Sequence, residues 1–468
     1  MLLDIEQRGK ELIVSYYNKE GNTAFKKYKL PSVSNWAVCN PKDKGKSEEF
    51  KNWDGRPVRL APSKAYDKYS LIQFLENLPE EESFEIFEYC LPKIYFVDIE
   101  VEVTDSFPEP ERAENPVTTI AIVTPTGQSI VLATKDLKRE NQIEIQESIN
   151  DYFLEEDVSF NFVYKVFSSE YDMLYTFFHT FVKKFPMMTG WNFINFDWKY
   201  LVNRAMKLSI DVSIASPTGA VWGKEQIPFH VGVMDYLELY RKWDRSVDIK
   251  ENFTLDSVAE VVTGYKKIKY NGSLQDLYEQ DYQKYVYYNV VDTCLVFLIH
   301  RKIKTMEIAL TIANLCRISI YKAASPVAVT ESLLCRKFLD KGQVMAKDWE
   351  ASPNKVNGQY AGAYVKQPEV GMHRGVACFD FASLYPSIMR QLNVSPDSFI
   401  RKVDPNNADA EKRDDRIVSV TGAVYRKDES ILKNILTDLY NQRRTYKKKY
   451  FELEVKADEL RKKIKEMS

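Results

Sequence analysis

The stretch FVDIEVEV, residues 96–103, alternates apolar and acidic side chains in a segment that otherwise has the composition of a buried β-strand. Successive side chains of a strand point to opposite faces, so Asp98, Glu100 and Glu102 share one face and the branched apolar residues share the other. The acidic face must meet either water or a cation. A solvated edge strand explains this stretch as well as a metal site does, so the rest of the chain has to decide.

Length and charge exclude several classes of protein. The 468 residues are too many for one hydrophobic core and predict roughly two to four domains. A formal net charge of -2 at pH 7 means that any contact with nucleic acid must be local. The four histidines lie apart from one another and from any serine or cysteine nucleophile motif, which disfavours histidine-based catalysis.

The distribution of cysteines indicates the redox environment of the protein. The six cysteines are scattered without a Cys-x-x-Cys pair, so the sequence predicts neither a zinc site nor a disulfide framework, and a reducing compartment fits. The sequence contains no signal peptide and no apolar run of membrane-spanning length, which predicts a soluble protein of cytoplasmic type that does not contact a membrane.

The chain before and just after the acidic strand has a β-rich pattern. Residues up to about Pro92 combine strand-like pieces such as KELIVSYYN and FEIFEYC with a lysine- and glycine-rich loop, which predicts a small α/β domain. After the acidic strand, VTTIAIVTPTGQSIVLAT has two β-rich runs around a Pro-Thr-Gly turn. This pattern predicts a hairpin and therefore a three-stranded antiparallel unit.

Alternating helices and strands follow the hairpin. FNFVYKVF is β-rich, SEYDMLYTFFHTFVKKF has Ser169 and Asp172 at capping-box spacing, MMTGWN is strand-like and DWKYLVNRAMKL is helix-like. The order predicts a mixed α/β (α+β) fold, with a mixed sheet flanked by helices as in ribonuclease H-like nucleases. Further on, GVACFDFASLYPSIMRQL predicts an apolar strand that passes into a helix, and residues 431–468 form one continuous helical pattern.

Other acidic positions extend the metal hypothesis. Asp197 follows an apolar strand and opens a helix, where by itself it would be an N-cap, with Asn192 in the preceding loop. Tyr288 and Asp292 are four residues apart in a helical segment and so lie on one face. Asp292 has apolar neighbours, and an unpaired buried carboxylate there would be costly or protonated. A solvent-facing Asp292 on an amphipathic helix is the alternative.

Taken together, the acidic positions form a set of hard oxygen ligands: Asp98, Glu100, Asp197 and Asp292. Mg²⁺ and Mn²⁺ prefer such ligands, and two ions about 4 Å apart can activate a water and stabilise the leaving oxygen in phosphodiester cleavage. Tyr288 would orient the water. The set therefore predicts a two-metal site for Mg²⁺ or Mn²⁺.

Three motifs in this order resemble the proofreading motifs of DnaQ-like 3'→5' exonucleases in family B DNA polymerases. They are Asp-x-Glu in VDIEVE, Asn-x-x-x-Phe-Asp in NFINFD and Tyr-x-x-x-Asp in YNVVD. Each motif is weak alone, but the ordered triple is specific. The resemblance implies that metal ions lie against Asp98 and Glu100, that Asn192 and Phe196 contact DNA, and that Glu102 is solvated.

The segment DFASLYPS, residues 380–387, resembles the first palm motif of the same family. The resemblance implies that Asp380 holds a metal ion and that Tyr385 closes the sugar pocket. Backbone N–H groups at Ser383 and Leu384 would meet the triphosphate of a dNTP. A plain strand-to-helix turn that begins with a capping Asp380 is the alternative.

Two further elements carry the resemblance, and more matches point to the replicative polymerases of T-even-type phages. QYAGAYV resembles a Tyr-x-Gly-Gly/Ala element, which implies template contacts at Tyr360, Gly362 and Ala363. In YNQRRTYKKKY the resemblance places Arg443 and Lys447 where the fingers helix reaches the triphosphate. Without the resemblance, these cations would be read as a basic solvated helix face.

The resemblance implies a domain order. An N-terminal domain covers residues 1–92, with residues 305–350 returning to it, and an exonuclease domain covers residues 93–304. Part of the palm follows at residues 351–429, and part of the helical fingers at residues 430–468. A location in the cytoplasm of a phage-infected bacterium is implied as well.

Several elements of the family do not occur in the sequence. They are the second fingers helix with its Lys-x-x-x-Asn-Ser-x-Tyr-Gly motif, the Asp-Thr-Asp-Ser hairpin with the other palm aspartate, and the thumb. Asp380 alone cannot hold two metal ions, so we expect that the chain does not polymerise by itself.

We therefore expect the N-terminal subunit of a split polymerase. Its substrates would be primer-template DNA, a single-stranded 3' end and dNTPs, and its partner would be a C-terminal subunit through which a sliding clamp could bind. Three alternatives stay open at this point: a truncated form of a single-chain polymerase, a stand-alone 3'→5' exonuclease, and a non-catalytic scaffold derived from a polymerase.

Overall fold

The computed structural model describes residues 1–39, 45–103, 108–223, 225–243, 252–346, 364–381, 383–406, 411 and 413–467. The chain divides into two compact units. The first unit is Met1–Ser32 with Leu75–Ser332, and the second unit is Val33–Phe74 with Leu333–Ser468. Within the described ranges, every helix is too short or too polar to cross a bilayer.

The strands of the described ranges, in chain order, are β1 (Leu2–Arg8), β2 (Glu11–Tyr17), β3 (Thr23–Lys29), β4 (Ser34–Val38), β5 (Lys51–Asn52), β6 (Val58–Pro62), β7 (Ile94–Val101), β8 (Val117–Val123), β9 (Ser129–Ala133), β10 (Phe162–Val166), β11 (Met187–Thr189), β12 (Val221–Trp222), β13 (Ile227–Pro228), β14 (Gly232–Val233), β15 (Gln343–Val344), β16 (Phe399–Lys402), β17 (Arg416–Val418) and β18 (Ala423–Arg426).

The α-helices are α1 (Lys68–Glu76), α2 (Glu80–Phe87), α3 (Arg139–Tyr152), α4 (Glu170–Thr176), α5 (Lys199–Lys207), α6 (Tyr236–Trp243), α7 (Leu255–Thr263), α8 (Leu274–Gln280), α9 (Tyr282–Ile303), α10 (Thr305–Cys316), α11 (Pro326–Leu339), α12 (Leu384–Gln391) and α13 (Ile431–Met467). Two π-helical turns, Phe177–Phe181 and Ile194–Trp198, and three 3₁₀ turns, Val182–Lys184, Val212–Ala215 and Ile320–Lys322, complete the helical segments.

The main sheet of the first unit has six strands in the order β10-β9-β8-β7-β11-β14. Strands β7, β8 and β9 are antiparallel neighbours, which confirms the predicted hairpin and three-stranded unit. β10 and β11 add in parallel to β9 and β7. The sheet is mixed and flanked by helices, so the predicted α/β (α+β) fold is confirmed. Because β7 lies inside the sheet, the edge-strand explanation of its acidic residues is wrong.

Helix α9 covers the acidic face of the sheet. It packs against β7 and β8 and against helices α3, α7 and α8. It starts at the N-cap Asp281, whose side chain accepts the Lys284 N–H, and ends at Lys304 in the left-handed conformation. Between these ends most sides of the helix are apolar, because neighbouring elements surround it. The polar residues in its middle are therefore buried.

The connection from β11 to α5 brings Asp197 to the sheet. Gly190 follows β11, and Asn192 has a left-handed φ of 59°. The chain then forms the π-helical turn Ile194–Trp198 before α5 starts. The alternative role of Asp197 as a helix N-cap is therefore wrong, because Asp197 lies inside this turn.

A buried carboxylate fixes this connection. Asp235 accepts hydrogen bonds from the N–H of Ile194 at 3.0 Å and of Leu237 at 3.0 Å. These two bonds tie the start of α6 to the π-helical turn. Nearby, Ser169 caps α4 as predicted by accepting the Asp172 N–H, but the Asp172 carboxylate accepts from the hydroxyls of Ser168 and Ser169, so this end has no reciprocal capping box.

Two predicted strands are wrong. FEIFEYC lies mostly in helix α2, which begins after Pro79 with three acidic residues in its first turn and buries Ile86. GVACFDF, residues 375–381, has no regular structure, although helix α12 follows as predicted. Its side chains are exposed, and the described residues supply no strand that pairs with it.

The second unit has small sheets and one long helix. β4 pairs with β6, β5 pairs in parallel with β15, and β16, β18 and β17 form a three-stranded sheet. Helix α13 runs over 37 residues, and its first turns pack on Phe338 of α11 and on α12. The pairing of β5 with β15 joins residues that precede the first unit's segment Leu75–Ser332 to residues that follow it. The four predicted domain boundaries stay predictions.

Replacing Gly190 by alanine is expected to destabilise the first unit. A Cβ at this position would lie 2.3 Å from the carbonyl oxygen of Val97 and 2.9 Å from the ring of Phe193. We expect the free energy of unfolding to fall by about 3 kcal/mol, measured by urea denaturation. Gly219→Ala is the control, because a Cβ at this position would have no atom within 4 Å. Only the left-handed φ of +71° disfavours alanine there. We expect the control to lower the free energy of unfolding by about 1 kcal/mol. Equal losses of stability in the two variants would contradict the steric explanation.

Candidate metal centre

Three of the predicted metal ligands meet in the first unit. Asp98, Glu100 and Asp292, here called the acidic cluster, each place one carboxylate oxygen within 4.8 Å of the others. Asp98 and Glu100 are two residues apart on β7 and share a face, and Asp292 reaches that face from α9. Asp292 is only 2% exposed, so the solvent-facing alternative is wrong for this residue.

Asp197, the fourth predicted ligand, lies beside the acidic cluster but outside it among the described residues. Its Oδ1 accepts the backbone N–H of Ile99 at 3.1 Å, so one oxygen ties the π-helical turn to β7. Burial, and secondly the charge of Asp98, raises the pKa of Asp197. Its role as a ligand stays a prediction.

A lysine that the sequence analysis missed contacts the acidic cluster. Lys267 Nζ lies 2.5 Å from Asp292 Oδ2 and donates to the hydroxyl of Tyr288 at 3.1 Å. Burial lowers the pKa of Lys267, but the charge and hydrogen bond of Asp292, together with the charges of Tyr288 and Asp98, outweigh burial, so the pKa is raised overall and the ammonium stays charged. The lysine-rich sequence around it, YKKIKYN, is typical of a solvated loop and gave no signal of this role.

The acidic side chains hold their protons more tightly than ordinary carboxyls. Burial is the main cause, and mutual repulsion adds to it. The pKa of Asp98 rises to about 7, with the Asp292 charge as the second cause. The pKa of Glu100 is raised well above its ordinary value by burial and by the charge of Asp98, and the pKa of Asp292 is raised by burial although Lys267 opposes this. Full ionisation near neutral pH therefore requires an additional cation.

One oxygen of the acidic cluster has no partner. Asp292 Oδ1 is buried and makes no hydrogen bond to any described residue, whereas Oδ2 pairs with Lys267. An ionised oxygen in this position costs several kcal/mol unless a cation or donor satisfies it. Carboxylate oxygens are also the ligands that Mg²⁺ and Mn²⁺ prefer. The residues present therefore fit a divalent metal ion.

Tyr288 lies one helical turn before Asp292, as predicted, and its ring packs edge-on against Tyr270 with 5.4 Å between ring centroids. Burial, and secondly the charge of Asp292, raises the pKa of Tyr288. The hydroxyl thus keeps its proton and can donate a hydrogen bond. Its role in orienting a water stays a prediction.

The predicted DNA contacts Asn192 and Phe196 lie on the connection that carries Asp197. The N–H of Phe196 donates to the carbonyl of Asn192 at 3.0 Å, and its ring packs against Tyr200 with 6.2 Å between centroids. Both side chains are half-buried. Asn192 and Phe196 are close in sequence to Asp197, and their contact with DNA stays a prediction.

The predicted palm and fingers residues lie in the second unit. Asp380 is exposed in an irregular segment, and Ser383, with a left-handed φ of 54°, starts the helix that contains Leu384 and Tyr385. Arg443 and Lys447 are exposed on helix α13, one turn apart as predicted. Tyr360, Gly362 and Ala363 lie outside the described residues.

Two family profiles match the chain. DNA polymerase family B matches residues 316–466, and the exonuclease domain of DNA polymerase family B matches residues 75–229. The second match contains Asp98, Glu100 and Asp197, and the first contains Asp380, Arg443 and Lys447.

Individual polymerases are also similar to the chain. The DNA-directed DNA polymerase of Escherichia phage RB69 is 28% identical over 414 residues, which cover 80% of this chain and 44% of that protein. The DNA-directed DNA polymerase of Enterobacteria phage T4 is 29% identical over 322 residues, 64% of this chain and 35% of that protein. DNA polymerase 1 of Sulfolobus acidocaldarius is 27% identical over 343 residues, 66% and 36% respectively. The chain spans less than half the length of these relatives.

Magnesium is expected to stabilise the fold more at high pH than at low pH. A carboxyl with a raised pKa contributes stability below its ordinary pKa and loses it as pH rises through the folded-state value, which for Asp98 is about 7. The free energy of unfolding of the metal-free protein should therefore fall as the pH rises from about 4 to about 7. A bound cation should restore the lost stability.

Thermal unfolding with and without Mg²⁺ checks this prediction. We expect the rise in Tm to be several degrees at about pH 8 and close to zero at about pH 5. Asp98→Asn is the matched variant, since it removes one of the repelling charges and should reduce the rise at high pH. A rise of equal size at both pH values would contradict the prediction.

Proposed function

The chain belongs to the family B DNA polymerases, and from this premise we propose that its exonuclease domain removes nucleotides from the 3' end of DNA with the help of two divalent metal ions. A single-stranded 3' end is the proposed substrate, and Mg²⁺ or Mn²⁺ the proposed cofactor. The observation that supports this best is the acidic cluster, in which a buried oxygen of Asp292 lacks a partner.

Each residue of the cluster has a proposed role. Asp98, Glu100 and Asp292 would hold the metal ions, with Asp197 as a further ligand beside them. When bound, the metal ions would lower the pKa of a water and stabilise the charge of the leaving oxygen. Asn192 and Phe196 would hold the terminal nucleotides.

The side chains around the metal ligands prepare the reaction. Tyr288 keeps its proton and can donate to the attacking water, which fixes the direction of attack. Lys267 holds both the Tyr288 hydroxyl and Asp292 Oδ2, so it keeps the two groups in a constant relative position. Burial on α9 keeps bulk water from Asp292 and strengthens the electrostatic interactions of the site.

Removal of the β7 carboxylates should abolish DNA degradation. We expect the Asp98→Ala, Glu100→Ala double variant to degrade a 5'-labelled single strand at least about a hundredfold more slowly than the parent chain in Mg²⁺, because the metal ions lose their ligands on one side. Degradation is measured by gel electrophoresis of the shortened products.

Glu102→Ala is the matched control. Glu102 belongs to the same acidic stretch but lies after the end of β7 and outside the acidic cluster. Its removal should leave the rate within about twofold of the parent rate. A double variant that degrades DNA as fast as the parent would overturn the metal assignment.

For DNA synthesis, we propose that the chain supplies one part of a polymerase site. Asp380 would hold a metal ion, Ser383, Leu384 and Tyr385 would contact the dNTP, and Arg443 and Lys447 would meet its triphosphate. Tyr360, Gly362 and Ala363 would contact the template. The proposal rests on the match of residues 316–466 to the family and on the sequence motifs that lie in it.

A C-terminal partner subunit is the proposed source of the second palm aspartate. Two surfaces of the second unit support a protein partner. The segment 364–381 exposes large apolar side chains, among them Phe379 at 92%. On α13, exposed apolar residues recur at spacings of three, four and seven, which is typical of a helix that packs on another helix: Tyr446, Tyr450, Leu453, Leu460 and Ile464. A sliding clamp would bind through the same partner.

The 468-residue chain alone should not extend a primer. Its sequence supplies Asp380 but no Asp-Thr-Asp-Ser hairpin, and one palm aspartate cannot hold two metal ions. A 5'-labelled primer annealed to a template, incubated with Mg²⁺ and dNTPs, should be shortened and never lengthened. The reaction without dNTPs is the control for shortening. Extension by this chain alone would contradict the proposed partner.

A further inference from the structure

Two buried side chains that were not among the predicted site residues hold the carboxylate of Asp98: Asn289 contacts it directly, and Thr119 acts through Asn289. Asn289 Nδ2 donates to Asp98 Oδ2 at 2.7 Å, and Thr119 Oγ1 donates to Asn289 Oδ1 at 3.0 Å. Asn289 and Thr119 are both 0% exposed. The three residues form a hydrogen-bond relay that runs from β8 through α9 to β7.

The relay has one consistent orientation. An ionised carboxylate only accepts hydrogen bonds, so Asn289 must present its NH₂ group, and not its oxygen, to Asp98. The amide oxygen then faces Thr119, whose hydroxyl must donate. Because each donor meets an acceptor and Asn289 and Thr119 are buried, rotation of either side chain would leave a buried polar atom unsatisfied.

Strand register explains why Thr119 reaches Asn289. On β8, Thr119 is paired directly with Glu100 of β7, so its side chain lies on the face that carries Asp98 and Glu100. Helix α9 covers that face, and Asn289 is three residues before Asp292 on it. The same helical turn therefore carries a ligand of the acidic cluster and the group that holds another ligand.

A second set of hydrogen bonds fixes the backbone of β7 next to the relay. Thr118 Oγ1 donates to the carbonyl oxygen of Glu100 at 2.9 Å and lies 2.6 Å from the hydroxyl of Tyr285. Tyr285 is four residues before Asn289 on α9. Helix α9 and strand β8 thus restrain both ligand residues of β7.

We propose that Asn289, held by Thr119, is a positioning residue of the metal centre: it fixes the Asp98 carboxylate in the orientation that binds a divalent cation. The inference rests on the proposed metal-dependent function. Groups that orient metal ligands in this way typically change metal affinity or activity by about 10- to 100-fold when they are removed.

The test measures binding of Mn²⁺ alone to the full chain by isothermal titration calorimetry. Asn289→Leu has a similar volume but no donor, and it should raise the Kd for Mn²⁺ by about 10- to 100-fold. Thr119→Val is nearly isosteric and leaves Asn289 in place, so it keeps the test valid if Asn289→Leu does not fold. It should raise the Kd at least about threefold.

Two controls separate positioning from a general loss of packing. Thr119→Ser keeps the hydroxyl and should restore affinity to within about twofold of the parent chain. Thr293→Val removes a buried hydroxyl from the same helix, where Thr293 Oγ1 donates to the Asn289 carbonyl at 2.9 Å, and should leave the Kd unchanged. In DNA degradation, Asn289→Leu should lower kcat and raise the Mn²⁺ requirement with little change in the KM for single-stranded DNA.

The outcomes distinguish this inference from the proposed function. Parent-like Mn²⁺ binding by both Asn289→Leu and Thr119→Val would overturn the positioning role, even if the parent chain degrades DNA. Weakened Mn²⁺ binding in both variants, with a parent chain that does not degrade DNA, would support the positioning role and overturn the nuclease. A parent chain that does not bind Mn²⁺ would overturn both.

Discussion

Four acidic side chains and one ammonium group lie close together around β7, and this imbalance of charge constrains the structure around it. Asp98, Glu100 and Asp292 cannot all ionise beside Asp197 without a cation, and Lys267 compensates for only one charge. Such an arrangement is unfavourable for stability alone. It persists because the surrounding sheet and helix bury enough apolar surface to stabilise the fold in spite of it.

The apolar surroundings make the acidic cluster rigid as well as costly. Strand β8 is buried along its whole length, and α9 is enclosed by the sheet and three helices. Close packing of this kind leaves few alternative rotamers for polar groups inside it. The hydrogen bonds of the two threonines of β8 and of Asn289 on α9 depend on this rigidity, since each bond restrains an element that also carries a proposed metal ligand.

Much of the acidic cluster could be predicted from sequence because its signals are local. Alternation fixed the shared face of Asp98 and Glu100, and a spacing of four placed Tyr288 and Asp292 on one helix face. Lys267 and Asn289 could not be found this way, because their roles depend on contacts between segments far apart in the chain. The strand predicted at residues 375–381 failed for a related reason: apolar alternation favours a strand, but a strand also needs a neighbour to pair with.

If the proposed metal ions bind at the acidic cluster, the contact between Lys267 and Asp292 would separate folding from metal loading. A lysine that already occupies part of the negative potential acts as an internal counter-ion, so the carboxylates can be brought together before any metal ion arrives. Under the proposed metal-dependent function, the chain would then fold where free divalent ions are scarce and load them afterwards at a preformed site. In proteins whose metal sites lack such a built-in cation, folding and metal binding are a single event.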